Sequence, residues 1–176
     1  DYSRMGESIH DFPHQWGSKR TGPDLAREGG AIVKGSKVMR SGLKDNVWHY
    51  IHLMDPRAKD EASNMPSYST LVNRETDFKA LPEKIRVQAL IGVPWPVMNK
   101  HEIEQGARDQ ALEISKTLVA NKVNIPWVKK GMSKEQIEAE LAEKEIVALI
   151  AYLQKLGAYK TIENKNDKDE KWKNPD

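Results

Sequence analysis

The chain has 176 residues, 38% hydrophobic and 31% charged, with 28 lysines and arginines against 26 aspartates and glutamates for a net charge of +2. That length holds one domain with embellishments around a modest core, and the balanced charge gives no support for a nucleic-acid partner, which would need a basic face or stripe. There is no cysteine, which excludes disulfides, thiolate metal sites and a cysteine nucleophile.

No apolar run approaches the roughly 18 residues that cross a bilayer, and no signal peptide is visible. The first residue is Asp1 rather than Met, so a processed or cut-down piece is expected.

Residues 1–30 are rich in His, Gly, Pro and aromatic side chains without periodicity, and read as a structured loop. Residues 31–45, "AIVKGSKVMRSGLKD", read as a surface insertion or a short hairpin. The segment "NVWHYIHLM" at 46–54 predicts a short helix: Asn46 can cap it, and Val47, Tyr50, Ile51 and Met54 share a face. Pro56 disfavours helix at Asp55 and ends it. Residues 57–75 form a long loop, a length that is uncommon without a function.

Pro82 can open a helix running to about residue 91, with Gly92 and Pro94 stopping it. "VPWPV" at 93–97 is a rigid connector. Residues 100–121 carry the longest helical pattern, with Ile103, Ala107, Ile114 and Leu118 along one side. Pro126 and Gly131 break it. "SKEQ" at 133–136 matches a capping box that opens a final helix reaching about Leu156. Ile146, Leu149, Ile150, Leu153 and Leu156 form its apolar stripe, and Gly157 is a fitting C-cap. Residues 160–176 are almost devoid of apolar groups and read as a disordered, charged tail. No repeat and no convincing strand alternation is present, so the class is all-α with long loops.

The chemistry is sparse. There is no G-x-S-x-G, no phosphate loop and no H-E-x-x-H, and the carboxylates lie mostly on charged helix faces. His49 and His52 are three apart and can lie side by side, but zinc needs three or four ligands and no third is evident. His10 and His14 flank "DFP" in a loop without supporting spacing. Met65 stands in "SNMPSY" (63–68), amid polar and charged residues, with Pro66 holding the backbone rigid after it. A thioether presented in this way fits either a soft metal ligand or a packing contact. In "GSKRTGPDL" (17–25), Pro23 offers a carbonyl and no donor. Such a carbonyl can orient a histidine ring N–H at a metal site, or simply belong to a Gly-Pro turn.

Taken in order, "RTGPDL" (20–25), "WHYIHLMDPR" (48–57), "SNMPSY" (63–68) and "EKEIVALIAYLQKLG" (143–157) resemble the later part of a class I cytochrome c. With "QWGSKRTGPDLAREGG" (15–30) and "ALPEKIRVQALIGVPW" (80–95), the pattern is similar to the mono-haem subunit of cbb-type cytochrome c oxidase, the CcoO/FixO family. The resemblance covers roughly residues 9–157. It implies a cytochrome c-like domain over 1–159, with an insertion at about 31–45.

The resemblance further implies that Met65 is the distal axial ligand of haem c iron and that Pro23 orients the proximal histidine. Arg20 and Trp48 would meet the haem propionates, and Asn64 would support Met65 through its amide. It implies a non-catalytic subunit that relays electrons to the catalytic oxidase subunit in aerobic or microaerobic respiration, with a di-haem cytochrome c subunit as a second partner. It also implies a domain facing the periplasm, anchored in the bacterial inner membrane. The family's C-x-x-C-H motif and anchor lie upstream of position 1, so the expectation is a chain that lacks the attachment helix, the proximal histidine and covalent haem.

Two rivals stand beside this reading: a haem-free interaction or assembly module on a cytochrome c-like scaffold, and a metal site built on His49, His52 and another histidine. Without an attachment helix, the stripe Ile146, Ile150 and Leu153 is expected to be partly uncovered and to drive self-association into a homo-oligomer.

Overall fold

The computed structural model describes Ile9, Gly22, Leu25, Glu28 and residues 44–156. Most of the expected 31–45 insertion, the C-cap at Gly157 and the charged tail lie outside these residues. The chain divides into two compact units. The first contains Asn46–Ala151. The second includes the described residues Lys44, Asp45 and Tyr152–Leu156. Within the second unit, Lys44 pairs with Glu28 at 2.6 Å, and Gln154 Nε2 donates to the Lys44 carbonyl at 2.9 Å.

The described residues form five α-helices: α1 Asn46–Met54, α2 Leu81–Leu90, α3 Lys100–Ala120, α4 Lys134–Ala142 and α5 Glu145–Lys155. Pairing of extended backbone among them is limited to one isolated bridge between Glu75 and Lys144, so the all-α expectation holds.

Local chemistry sets the helix ends. α1 stops before Pro56, whose ring cannot continue it. Pro82 sits in the first turn of α2, where an N–H would have no helical partner in any case. At the other end of α2, Gly92 N–H donates to Ala89 O at 3.1 Å and Val93 N–H to Gln88 O at 3.0 Å. This is a Schellman closure, and it needs the left-handed backbone that Gly92 adopts at φ 95°. α3 opens with a reciprocal capping box: Glu102 N–H donates to Asn99 Oδ1 and Asn99 N–H to Glu102 Oε2, both at 2.9 Å. Ser133 and Gln136 make the expected box at α4.

The long α3 packs against α1, α2 and α4, burying Ala111, Ile114, Ser115 and Leu118. Around it a single apolar cluster gathers Tyr50 and Leu53 of α1, Val72 and Phe78 from the connecting segment, Leu141 and Ala142 of α4, and Ile146, Val147 and Ile150 of α5. Two polar groups are tied into this body: Tyr50 OH donates to Asn124 O at 2.9 Å, and Trp127 Nε1 donates to Val72 O at 3.1 Å.

Two expectations are corrected. The predicted single helix over 133–156 is two helices. Extended backbone at 74–76 pairs with 143–145: Thr76 N–H donates to Glu143 O at 2.7 Å, and Glu145 N–H donates to Arg74 O at 2.8 Å. Glu145 N–H therefore bonds to Arg74 rather than continuing the helix, and α5 restarts there. Lys144, buried at the break, reaches Glu75 and Glu140, both at 3.8 Å, and lies over the Trp127 ring at 5.7 Å.

The second correction concerns the C-terminal stripe. Ile146 and Ile150 are 0% exposed and Leu153 is buried. Ile146 and Ile150 are covered by the chain's own core, so the expected route to self-association through an uncovered stripe is absent.

Candidate functional site

Residues 55–72 fold back on the end of α1. Asp55 accepts from Arg57 N–H through its side chain at 3.2 Å, opening a 3-10 turn over Pro56–Ala58. Ala62 N–H donates to Asp60 Oδ1 at 3.1 Å, and Ser63 N–H to Asp60 O at 3.0 Å. These are the turns that Asp side chains favour. Met65 N–H then donates to Ser63 Oγ at 3.3 Å.

Beyond Pro66, two bonds fasten the loop to α1. Ser67 Oγ donates to Met54 O at 2.7 Å, and Tyr68 N–H donates to Leu53 O at 2.8 Å. Both use carbonyls at the helix C-terminus, which lack helical partners. Leu53 is itself buried in the core, so the loop is fixed to a rigid element. Met65 is half-buried and packs against the core cluster, while Asn64 and Pro66 are exposed. Support for Met65 thus comes from Ser63, Ser67 and Tyr68, which the sequence reading did not single out. The signal was visible in the serines that bracket "NMP", since Ser hydroxyls readily bond backbone two residues away.

Trp48, half-buried on α1, stacks on His52 with ring centroids 4.5 Å apart and meets His49 edge-on at 5.4 Å. His49 is buried. Among the described residues no three His, Cys, Asp or Glu side chains gather as a metal-binding group, so the self-contained histidine site finds no support there. Arg20, Pro23, His10 and His14 lie outside the described residues. In the core beside these elements, burial pushes the Tyr50 phenol up to about 12.

This donor chemistry fits a haem iron better than a free-standing ion. Met65, a single soft sulfur packed against the core on a pinned loop, would supply one ligand to a haem iron. It cannot complete the three or four ligands of a zinc site.

An all-α body carrying a proline-backed thioether loop fastened to a Trp-bearing helix has the organisation of a cytochrome c-like electron-transfer domain. A family model described as cytochrome c oxidase, mono-heme subunit/FixO, matches residues 1–160. The chain belongs to this family of mono-haem subunits of cytochrome c oxidase. A search of curated proteins returns no match. Family membership makes the chain an electron-transfer subunit of an oxidase complex that also contains a catalytic subunit, with haem c as the family's cofactor.

Proposed function

We propose that this subunit serves a cbb-type oxidase, relaying single electrons through haem c to the catalytic subunit during aerobic or microaerobic respiration. The observation that carries the reading is the Met65 loop, in a chain matched to the mono-haem family over residues 1–160. When bound, the haem supplies a one-electron couple, and thioether ligation favours its reduced form. The chain's residues supply position. Ser63 fixes the Met65 backbone, Ser67 and Tyr68 hold the loop on α1, and Met65 packs against the core cluster.

Pro23 would orient the proximal histidine, and Arg20 and Trp48 would meet the propionates as charge partner and N–H donor. The resemblance of "QWGSKRTGPDLAR" together with "SNMP" supports these roles, the cbb type, a di-haem subunit as second partner and a site on the periplasmic face of a bacterial inner membrane. Among the described residues no helix is long and apolar enough to cross a membrane.

The test is a reduced-minus-oxidised visible spectrum with haem c maturation machinery present. It would be recorded on this chain and on one extended upstream through the attachment segment. The expected result is a low-spin haem c spectrum in the longer chain. Met65→Leu, which keeps the packing to within about 1.5 kcal/mol, should lose the sulfur-to-iron signature while the protein stays folded. A longer chain that folds and remains colourless would overturn the haem reading. An unchanged spectrum in the Leu variant would remove Met65 as ligand.

A further inference from the structure

Residues 122–127, the loop that leaves α3, join the two elements between which the Met65 segment is hung. Lys122 starts this loop in a left-handed backbone at φ 53°, and among the described residues it is the one non-glycine at positive φ. Its N–H donates to Val119 O at 3.0 Å, and Val123 N–H donates to Leu118 O at 3.3 Å. This is the closure that Gly92 makes at the end of α2, here with a side chain where glycine would be free of strain. Such backbone persists where its surroundings over-determine it, and it gathers at sites where position matters. After the turn, Val123, Ile125 and Trp127 join the apolar core in alternation.

Two long-range hydrogen bonds hold the loop. Tyr50 of α1 donates through its hydroxyl to Asn124 O at 2.9 Å, across 74 positions, and Trp127 Nε1 donates to Val72 O at 3.1 Å, across 55 positions. α1 is the helix whose last carbonyls receive Ser67 and Tyr68. Val72, 0% exposed, ends the 3-10 turn Ser69–Val72, which follows Tyr68 directly and is closed on it by Leu71 N–H donating to Tyr68 O at 3.0 Å. The loop that leaves α3 therefore ties α1 to the far end of the Met65 segment, before the pairing at 74–76 begins. The Trp127 ring is itself backed. The Lys144 ammonium lies 5.7 Å from its centroid, and Lys144 forms a backbone bridge with Glu75.

We propose that residues 122–127 are a brace that sets how readily Met65 yields its place on the haem iron, with Trp127 as a positioning residue acting through its bond to Val72. The proposal rests on the reading of Met65 as an axial ligand. Groups that hold a metal ligand without touching the metal tune how tightly it binds. A segment fastened at both ends opens less often than one fastened at Ser67 and Tyr68 alone. An added ligand can take the axial position only in molecules whose Met65 has left, so its apparent affinity rises in proportion to that fraction.

The test uses the full-length protein, expressed with haem c maturation machinery, as wild type, Trp127→Phe and Asn99→Ala. Phe keeps an aromatic ring in place and removes the N–H. Asn99→Ala opens the capping box at the opposite end of α3, a loss of similar size away from the brace. Imidazole titration, followed by disappearance of the sulfur-to-iron signature, reads the departure of Met65. Amide hydrogen exchange at Met65 and Tyr68 reads opening of the segment with or without haem. For Trp127→Phe the expected result is imidazole bound about fivefold more tightly and exchange at both amides about fivefold faster, the factor that one hydrogen bond of about 1 kcal/mol makes in an equilibrium. Asn99→Ala should leave both at wild-type values. Wild-type values in Trp127→Phe overturn the proposal. So does an equal rise in Asn99→Ala, which would make the effect one of global stability, and so does faster exchange without tighter imidazole binding. Should Trp127→Phe fail to fold, Tyr50→Phe cuts the brace at its other tie and is read in the same way. A colourless protein in which Trp127→Phe alone still speeds exchange at Met65 and Tyr68 would support the brace while removing the haem reading.

Discussion

Two segments of the first unit look alike in sequence and differ in structure. "SNMPSY" (63–68) and "VPWPVM" (93–98) each place soft apolar side chains beside proline and outside any helix. The first is fastened to a different element, with Ser67 Oγ and Tyr68 N–H donating to the last carbonyls of α1 and Met65 packed on the core. The second bonds back to the helix it leaves, with Val93 N–H and Trp95 Nε1 donating to Gln88. Its apolar side chains point outward. Proline stiffens both, but stiffness alone does not decide whether a side chain is covered or exposed. The partner of the backbone hydrogen bonds does.

The largest expected effect comes from pairing a buried with an exposed aliphatic residue. Ile150→Ala empties a fully buried site and should destabilise by about 2–5 kcal/mol. Leu90→Ala, at the exposed end of α2, should stay within about 0.5 kcal/mol. Urea unfolding measures both, and comparable losses would end the distinction between an inward and an outward apolar set.

Next in size is the alkaline response of Tyr50. Its folded value is near 12, against 10.0 for an exposed phenol. Below pH 10 both states hold the proton and the contribution of burial is intact. From pH 10 to 12 the unfolded chain loses its proton first, so stability should fall across that window by up to roughly 3 kcal/mol. Tyr50→Phe removes this part of the slope. It also removes the hydroxyl donated to Asn124 O, at about 1 kcal/mol. Chemical denaturation at stepped pH separates the two effects.

Smaller and more direct is a comparison of the two fastenings. Ser67→Ala deletes the bond to Met54 O and should cost about 1 kcal/mol. It should also raise amide hydrogen exchange across residues 63–68. Gln88→Ala releases the Trp95 indole on an exposed surface and should change stability by less than about 0.5 kcal/mol, with its effect confined to the connector. Equal exchange in both loops would show that the bonds to α1 do not distinguish them.

The helices were largely legible in the sequence. Pro56 and Gly92 mark real ends of α1 and α2, and Ser133 with Gln136 closes a real capping box. Each of these is decided within a few residues. Asn99 and Glu102, in "NKHE", carry the same kind of signal ahead of α3. Met65 stands out as a loop residue backed by proline, and Ser63, two residues away, is a local support that the sequence offers, whereas the bond from Ser67 to Met54 spans thirteen positions and is not readable there. His49 gave no hint that it would be buried, since helix spacing places it beside the apolar face without saying how wide that face is.

By itself, then, the sequence determined what short-range chemistry controls: helix composition, most helix ends, the proline-backed thioether and the ordered motifs that mark the family. Only the tertiary structure decided what depends on distant backbone. The segment 74–76 meets 143–145 and divides one apolar pattern into two helices. The same folding covers Ile146 and Ile150, which the sequence left looking exposed, and leaves Leu90, Ile91 and Val97 on the surface. Periodicity names the apolar face of a helix. Which other element has its backbone polar groups satisfied nearby determines whether that face is covered from within.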